Sequence, residues 1–217
     1  MIPDEVANQV VDLYRAAATR GLISDTAGNV SARLGDVHTG AMAMTPSGAM
    51  PDTTGPGDLA HVSMTGATLN SATRSSEWAM HAAVYQTCPG SAFILHTHAD
   101  ACTALACLNE RLPPFHYMVL RFGGDDVRCS RYATFGTQAL ADLTAVAIHG
   151  RTACLLANHG MTVSGPTAAQ TLANALLLET LCKQYLLAKS AGTPRLLTRE
   201  EMQGARERFK TYGSRAR

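Results

Sequence analysis

The chain has 217 residues, 46% of them hydrophobic and 16% charged, and a formal net charge of +1. Those values describe a globular domain with an ample core, and they exclude a disordered chain and a basic nucleic-acid surface. No apolar stretch reaches the length of a membrane span. The start Met1-Ile2-Pro3-Asp4-Glu5 lacks the basic and apolar regions of a secretory signal, and the six cysteines show no CxxC pair, so reduced thiols in a cytoplasmic protein are expected.

In chain order, apolar residues Val6, Val10, Val11, Tyr14 and Ala18 fall at helical spacing over about 3–20, with Gly21 as the stop. A turn-rich segment 24–29 leads into an alternating strand at 30–34, followed by strands at 41–44 and about 61–64. A helix over about 75–87 opens on Ser75 or Ser76 as its cap, which places Glu77 in its first turn. Pro89-Gly90 breaks it, and the apolar run Ala92-Phe93-Ile94-Leu95 then enters His96-Thr97-His98. Further helices are expected at 101–108, 137–148, 167–191 and 199–212, the last capped by Thr198, with strands at 115–122, 152–157 and 161–163. No linker or repeat divides the chain. The pattern is that of a single α/β domain over residues 1–217, with a mostly antiparallel central sheet flanked by helices.

On a strand, side chains at 96 and 98 project from one side, about 7 Å apart along the backbone. Two such imidazoles can share a divalent metal if a third ligand joins them, and His159, which follows an apolar strand and precedes Gly160, is a candidate. The plainer reading, one buried histidine and one incidental one, also fits the pair taken alone. Glu77 likewise has two readings: a general base, or a first-turn carboxylate that only complements its helix dipole. His81 stands one helical turn beyond it and can orient that carboxylate. Three loops, at 26–29, 47–48 and 75–76, offer hydroxyls, an amide and free backbone N–H groups, which are the parts of an anion site that needs no lysine. The lysines, Lys183, Lys189 and Lys210, all lie on the C-terminal helices, which disfavours Schiff-base chemistry.

Together, Thr26 with Gly28-Asn29-Val30-Ser31, Thr45-Pro46-Ser47-Gly48, Ser75-Ser76-Glu77-Trp78, His96-Thr97-His98 and Asn158-His159-Gly160 resemble the class II aldolase/adducin family. Pro114-Phe115-His116-Tyr117-Met118 and Tyr132-Ala133-Thr134-Phe135-Gly136-Thr137 extend the likeness, which runs from the first helix to about Tyr212. The resemblance implies Zn²⁺, or Mn²⁺ or Co²⁺ in its place, held by His96, His98 and His159. It implies Glu77 as catalytic acid/base, a substrate phosphate held by Thr26, Asn29, Ser47, Gly48, Ser75 and Ser76, and Tyr117 acting as proton donor in a neighbouring subunit's site. The implied activity is cleavage of a ketose 1-phosphate of the L-fuculose 1-phosphate kind to dihydroxyacetone phosphate and an aldehyde. A cyclic homotetramer with interfacial active sites goes with it.

Alternatives in the same family are a decarboxylase of a phosphorylated 3-oxo sugar acid, a pentulose-phosphate 4-epimerase, which carries aspartate where this chain has Glu77, and a non-catalytic adducin-like binding module. A zinc hydrolase would use the metal but has no supporting motif. The chain departs from the family pattern at Arg121, where relatives have smaller apolar residues, and at Arg74, where a proline is common before the serine pair. Phe209 and Tyr212 stand in the tail that closes over the aldehyde end in relatives.

Overall fold

The computed structural model of the protein describes residues 1–211. Helices form at Asp4–Thr19 (α1), Trp78–Thr87 (α2), Asp100–Cys107 (α3), Gln138–Ile148 (α4), Ala168–Ala191 (α5) and Arg199–Thr211 (α6). Strands form at Gly28–Leu34 (β1), Ala41–Met44 (β2), Ala60–Ser63 (β3), Phe93–Thr97 (β4), Cys129–Ser130 (β5), Ala153–Leu156 (β6) and Gly160–Gly165 (β7). The strands make one sheet in the order β3-β2-β1-β4-β7-β6-β5. Every pairing is antiparallel except β5 with β6. The expected mixed α/β fold with a mostly antiparallel sheet is what forms.

Alternation along the strands divides the core into two layers. Val30, Ala32, Leu95, Leu155 and Val163 face one way and pack with residues of α1, α3 and α5. Ile94, Cys154 and Leu156 face the other way, toward Met80, Val84 and Tyr85 of α2 and Leu140 and Ile148 of α4. On α5 the buried residues Thr171, Asn174, Ala175, Leu178, Leu181, Cys182 and Tyr185 recur every three or four positions, as one helical stripe must.

Local capping follows the sequence at three helices. Thr137 Oγ1 accepts from Leu140 N–H, Thr167 Oγ1 accepts from Gln170 N–H, and Thr198 exchanges hydrogen bonds with Glu201 in a reciprocal box. Two expectations need correction. Residues 117–122 form a 3₁₀ turn, not a strand, because His116 Nδ1 accepts from Met118 N–H and Gly123 closes the turn in the left-handed region. The helix after the serine pair begins at Trp78, with Glu77 at its N-cap position and not inside its first turn. Neither Ser75 nor Ser76 caps it in the ordinary way. Ser75 Oγ instead accepts from Glu77 N–H at 3.2 Å, which turns the chain just ahead of the helix.

Candidate metal and anion site

The site grows from β4 and its two neighbours. Antiparallel register sets Asn29 of β1 opposite His96, and His96 opposite Thr162 of β7. Directly opposed residues share a face, so Asn29, His96 and Thr162 all project toward α2. His98 lies one residue past the end of β4, and His159 enters from the tight turn between β6 and β7, where Asn158 takes φ 54°. The β6–β7 turn thus carries a third histidine back to the end of β4.

The three imidazoles converge. His96 Nε2 and His98 Nε2 are 3.2 Å apart, and the ring centroids stand 4.8–5.1 Å from one another with planes at 70–73°. The ligand nitrogens all lie within 4.8 Å of one another. A tetrahedral ion about 2.1 Å from each nitrogen would hold such atoms about 3.4 Å apart, so the spacing suits one. His96 Nδ1 donates to Met161 O at 2.9 Å, which leaves its Nε2 lone pair aimed at the cluster.

Glu77 completes the arrangement. Its Oε2 lies 3.0 Å from His96 Nε2 and accepts from Asn29 Nδ2 at 3.1 Å. Its Oε1 lies 3.4 Å from His159 Nε2 and, among the described residues, is buried without a hydrogen-bond partner. This carboxylate makes no cap bond to its own helix, which removes the reading of Glu77 as a dipole complement alone.

The charges are interdependent. Burial opposes the ionised form of Glu77, but His96, His159 and Asn29 outweigh it and hold the carboxyl below its usual range. Burial also opposes a charge on His96, and Glu77 overcomes this, so His96 is raised. Burial and then His96 lower His98, and the same two causes bring His159 down to about 4. The direction of these shifts leaves the His98 and His159 nitrogens bare. Three neutral nitrogens beside an under-satisfied carboxylate are the donors that Zn²⁺, Mn²⁺ or Co²⁺ would take.

A cavity of roughly 450 Å³ opens in front of the cluster. His98, His159 and Glu77 line it together with Thr26, Asn29, Ser47, Gly48, Ser75 and Ser76. All six residues expected to hold an anion are thus gathered from three separate loops around one cavity. The Arg74 guanidinium lies over the Trp78 ring, 5.3 Å from the centroid, and donates to Gly66 O.

Tyr117 does not line that cavity. It is 47% exposed, stacks on His116 and meets Phe209 of α6 at 5.9 Å between centroids. Arg121 lines the same outer hollow as Tyr117, beside Arg208 and Phe209, away from the central cavity. Tyr212 lies outside the described residues.

Reasoning from sequence missed Asn158, Tyr132, Ala133 and Phe135 as cavity-lining residues, and Ser31 and Tyr85 behind Glu77. Spacing held a signal for the last two. Asn29 and Ser31 are two apart on a strand, while Glu77, His81 and Tyr85 recur every four residues on and beside a helix.

The Class II Aldolase and Adducin N-terminal domain profile matches residues 8–186. The 5-methylthioribulose-1-phosphate/5-deoxyribulose-1-phosphate aldolase of Rhodospirillum rubrum is 39% identical over 207 residues, covering 95% of this chain and 92% of that protein. The L-fuculose phosphate aldolase of Escherichia coli K12 is 35% identical over 98% of this chain and 97% of its own length. A solved structure of an L-fuculose 1-phosphate aldolase superposes with a TM-score of 0.89 at 36% identity, over 97% of this chain and 98% of that one.

Proposed function

The chain belongs to the class II aldolase and adducin family, and from that premise we propose that it is a metal-dependent aldolase cleaving a ketose 1-phosphate to dihydroxyacetone phosphate and an aldehyde. One observation carries the reading. A single cavity joins Thr26, Asn29, Ser47, Gly48, Ser75 and Ser76 to Glu77, His98 and His159. A phosphate at Asn29, Ser47, Gly48, Ser75 and Ser76, with Thr26, would direct the sugar carbons of the same molecule toward Glu77.

His96, His98 and His159 would hold a divalent cation, Zn²⁺ or else Mn²⁺ or Co²⁺. When bound, it supplies Lewis-acid stabilisation of the negative charge that develops on the substrate's oxygens. Cleavage removes the proton from the C4 hydroxyl, breaks the C3–C4 bond and leaves an electron pair at C3. Glu77, ionised at rest, takes up one proton and passes it to C3 to give dihydroxyacetone phosphate, so the proton lost at the C4 oxygen is balanced by the one gained at C3. Tyr117 of a neighbouring copy handles the proton of the departing aldehyde oxygen, which requires a homo-oligomer, a tetramer in this reading.

The relatives named above act, by their names, on 5-methylthioribulose 1-phosphate, 5-deoxyribulose 1-phosphate and L-fuculose phosphate. Metal-loaded protein should therefore be given each of these three, with released dihydroxyacetone phosphate as the readout. Release from at least one is expected, reduced on the order of 10²–10⁴-fold in Glu77→Gln with the metal still bound. Bound metal with no dihydroxyacetone phosphate from any of the three would sink the aldolase reading. Release of CO₂ from phosphorylated 3-oxo sugar acids would then identify a decarboxylase.

A further inference from the structure

Behind Glu77 lies a row of buried polar groups that the chemistry above does not use. Asn29, Ser31 and His81 are 7%, 0% and 0% exposed, and Tyr85 is fully buried as well. His81 Nε2 lies 2.6 Å from Asn29 Oδ1, and His81 Nδ1 lies 2.7 Å from Ser31 Oγ. Ser31 Oγ lies 2.8 Å from Tyr85 OH, which also reaches Ala92 O at 3.4 Å.

The direction of this row is fixed from the Glu77 end. Asn29 Nδ2 donates to Glu77 Oε2 at 3.1 Å, so its NH₂ faces Glu77 and its oxygen faces His81. His81 then carries its proton on Nε2, and its bare Nδ1 accepts the Ser31 hydroxyl proton. Having given that proton away, Ser31 accepts from Tyr85. The single Tyr85 proton then serves Ser31 Oγ at 2.8 Å, with Ala92 O at 3.4 Å only a long second acceptor, and no buried polar side-chain atom in the row is left without a partner. Burial keeps His81 neutral, with its pKa brought down to about 3, so it stays a single tautomer across the working range.

We infer that His81, backed by Ser31 and Tyr85, is a positioning residue that locks the Asn29 amide with its NH₂ facing the cavity. One N–H of that group holds Glu77 Oε2, and the second remains for the anion of the substrate. A terminal amide torsion is broad and two-fold, so Asn29 without His81 is free to turn over. Its oxygen would then face both the Glu77 carboxylate and the substrate's phosphate, and both contacts would become repulsive. This inference rests on the proposed roles of Glu77 and Asn29.

The test pairs His81→Leu with His81→Gln, whose amide N–H can reach about the place of Nε2. Each metal-loaded variant is checked by circular dichroism and metal content. In His81→Leu, kcat should fall on the order of 10–100-fold with metal retained, and KM should rise as well; His81→Gln should recover most of both. Equal kcat and KM in wild type and His81→Leu would overturn the inference, as would equal losses in both variants. A second readout needs no variant: the imidazole ¹⁵N shifts of His81 in the zinc-loaded wild type should report Nε2–H. An Nδ1–H tautomer would overturn the inference even if His81→Leu failed to fold. If Glu77→Gln keeps full activity while the Nε2–H tautomer is found, the catalytic reading has failed and the positioning of Asn29 by His81 stands.

Discussion

Glu77 and His81 sit one helical turn apart, and the same buried surroundings leave one ionised and the other neutral. Glu77 is ionised because two imidazoles and an amide face it, whereas His81 is neutral because burial, and then His96, oppose its protonation and no carboxylate touches it. The second fact has a consequence for stability. His81 is fully buried with a folded pKa of about 3, well below the ordinary 6.5. Between those values the unfolded chain takes up a proton that the folded chain refuses. The stabilisation is therefore whole above about pH 6.5 and is lost as pH falls toward 3, at about 1.4 kcal/mol per unit. Urea unfolding should show wild type losing about 2 kcal/mol more than His81→Gln between about pH 7 and about pH 5. Equal losses would remove His81 from the acid sensitivity. Both residues stood out in the sequence by type and spacing. Their roles did not, because whether a glutamate faces its own helix end or a histidine cluster depends on Asn29, His96 and His159, which lie far from it in the chain.

At the scale of elements, the site depends on how closely β1 and β7 approach β4. Gly28 takes φ 151°, and a Cβ there would come within 2.8 Å of His96 O. A Cβ on Gly160 would stand 2.3 Å from Thr97 O and 3.1 Å from His98 Cδ2. The first contact is with backbone, which cannot swing aside. Gly160→Ala should thus push the end of β4 outward, cost about 1–3 kcal/mol and reduce bound metal, while helix content by circular dichroism is kept. Full metal occupancy in that variant would refute the account. The helix after His98 has its own device. Ala99 gives α3 no side-chain cap, and Glu179 of α5 takes over, accepting from Ala101 N–H at 2.8 Å and Cys102 N–H at 2.9 Å. Glu179→Ala should lower stability by about 1–2 kcal/mol in chemical denaturation, and an unchanged midpoint would show the cap to be idle. Periodicity made most elements legible, since β4, α4, α5 and α6 each carry a clear apolar pattern or cap. It failed at 117–122, where an apolar run looks like a strand but His116 and Gly123 close it into a turn. It had no purchase on Glu179 either, because a cap supplied by another helix leaves no local mark.

For the whole molecule, the ordered motifs were enough to foresee the sheet and the gathering of Thr26, Asn29, Ser47, Gly48, Ser75 and Ser76 around one cavity, because each motif lies at a strand end, in the loop beside one or at a helix start facing that cavity. The remaining motif behaves differently. Tyr117 is 47% exposed on a turn braced by α6, and it does not line the cavity that Glu77 lines. A proton donor so exposed lacks the water-excluded surroundings that give such a group its effect, so a second copy of the chain must cover it if it acts. That requirement can be tested without knowing the symmetry. Glu77→Gln and Tyr117→Phe should each be impaired alone, the second by a smaller factor than the first. Dissociated, mixed in equal amounts and reassembled, they should recover activity, because some sites then join an intact Glu77 from one copy to an intact Tyr117 from the next. Random assembly makes such sites about a quarter of the total, which bounds the recovery at about a quarter of wild type. Mixing that gives only the average of the two impaired variants would mean that Tyr117 serves no neighbour. The donor would then have to be sought among the groups of the same copy that already line the cavity, where Tyr132 is the phenol at hand.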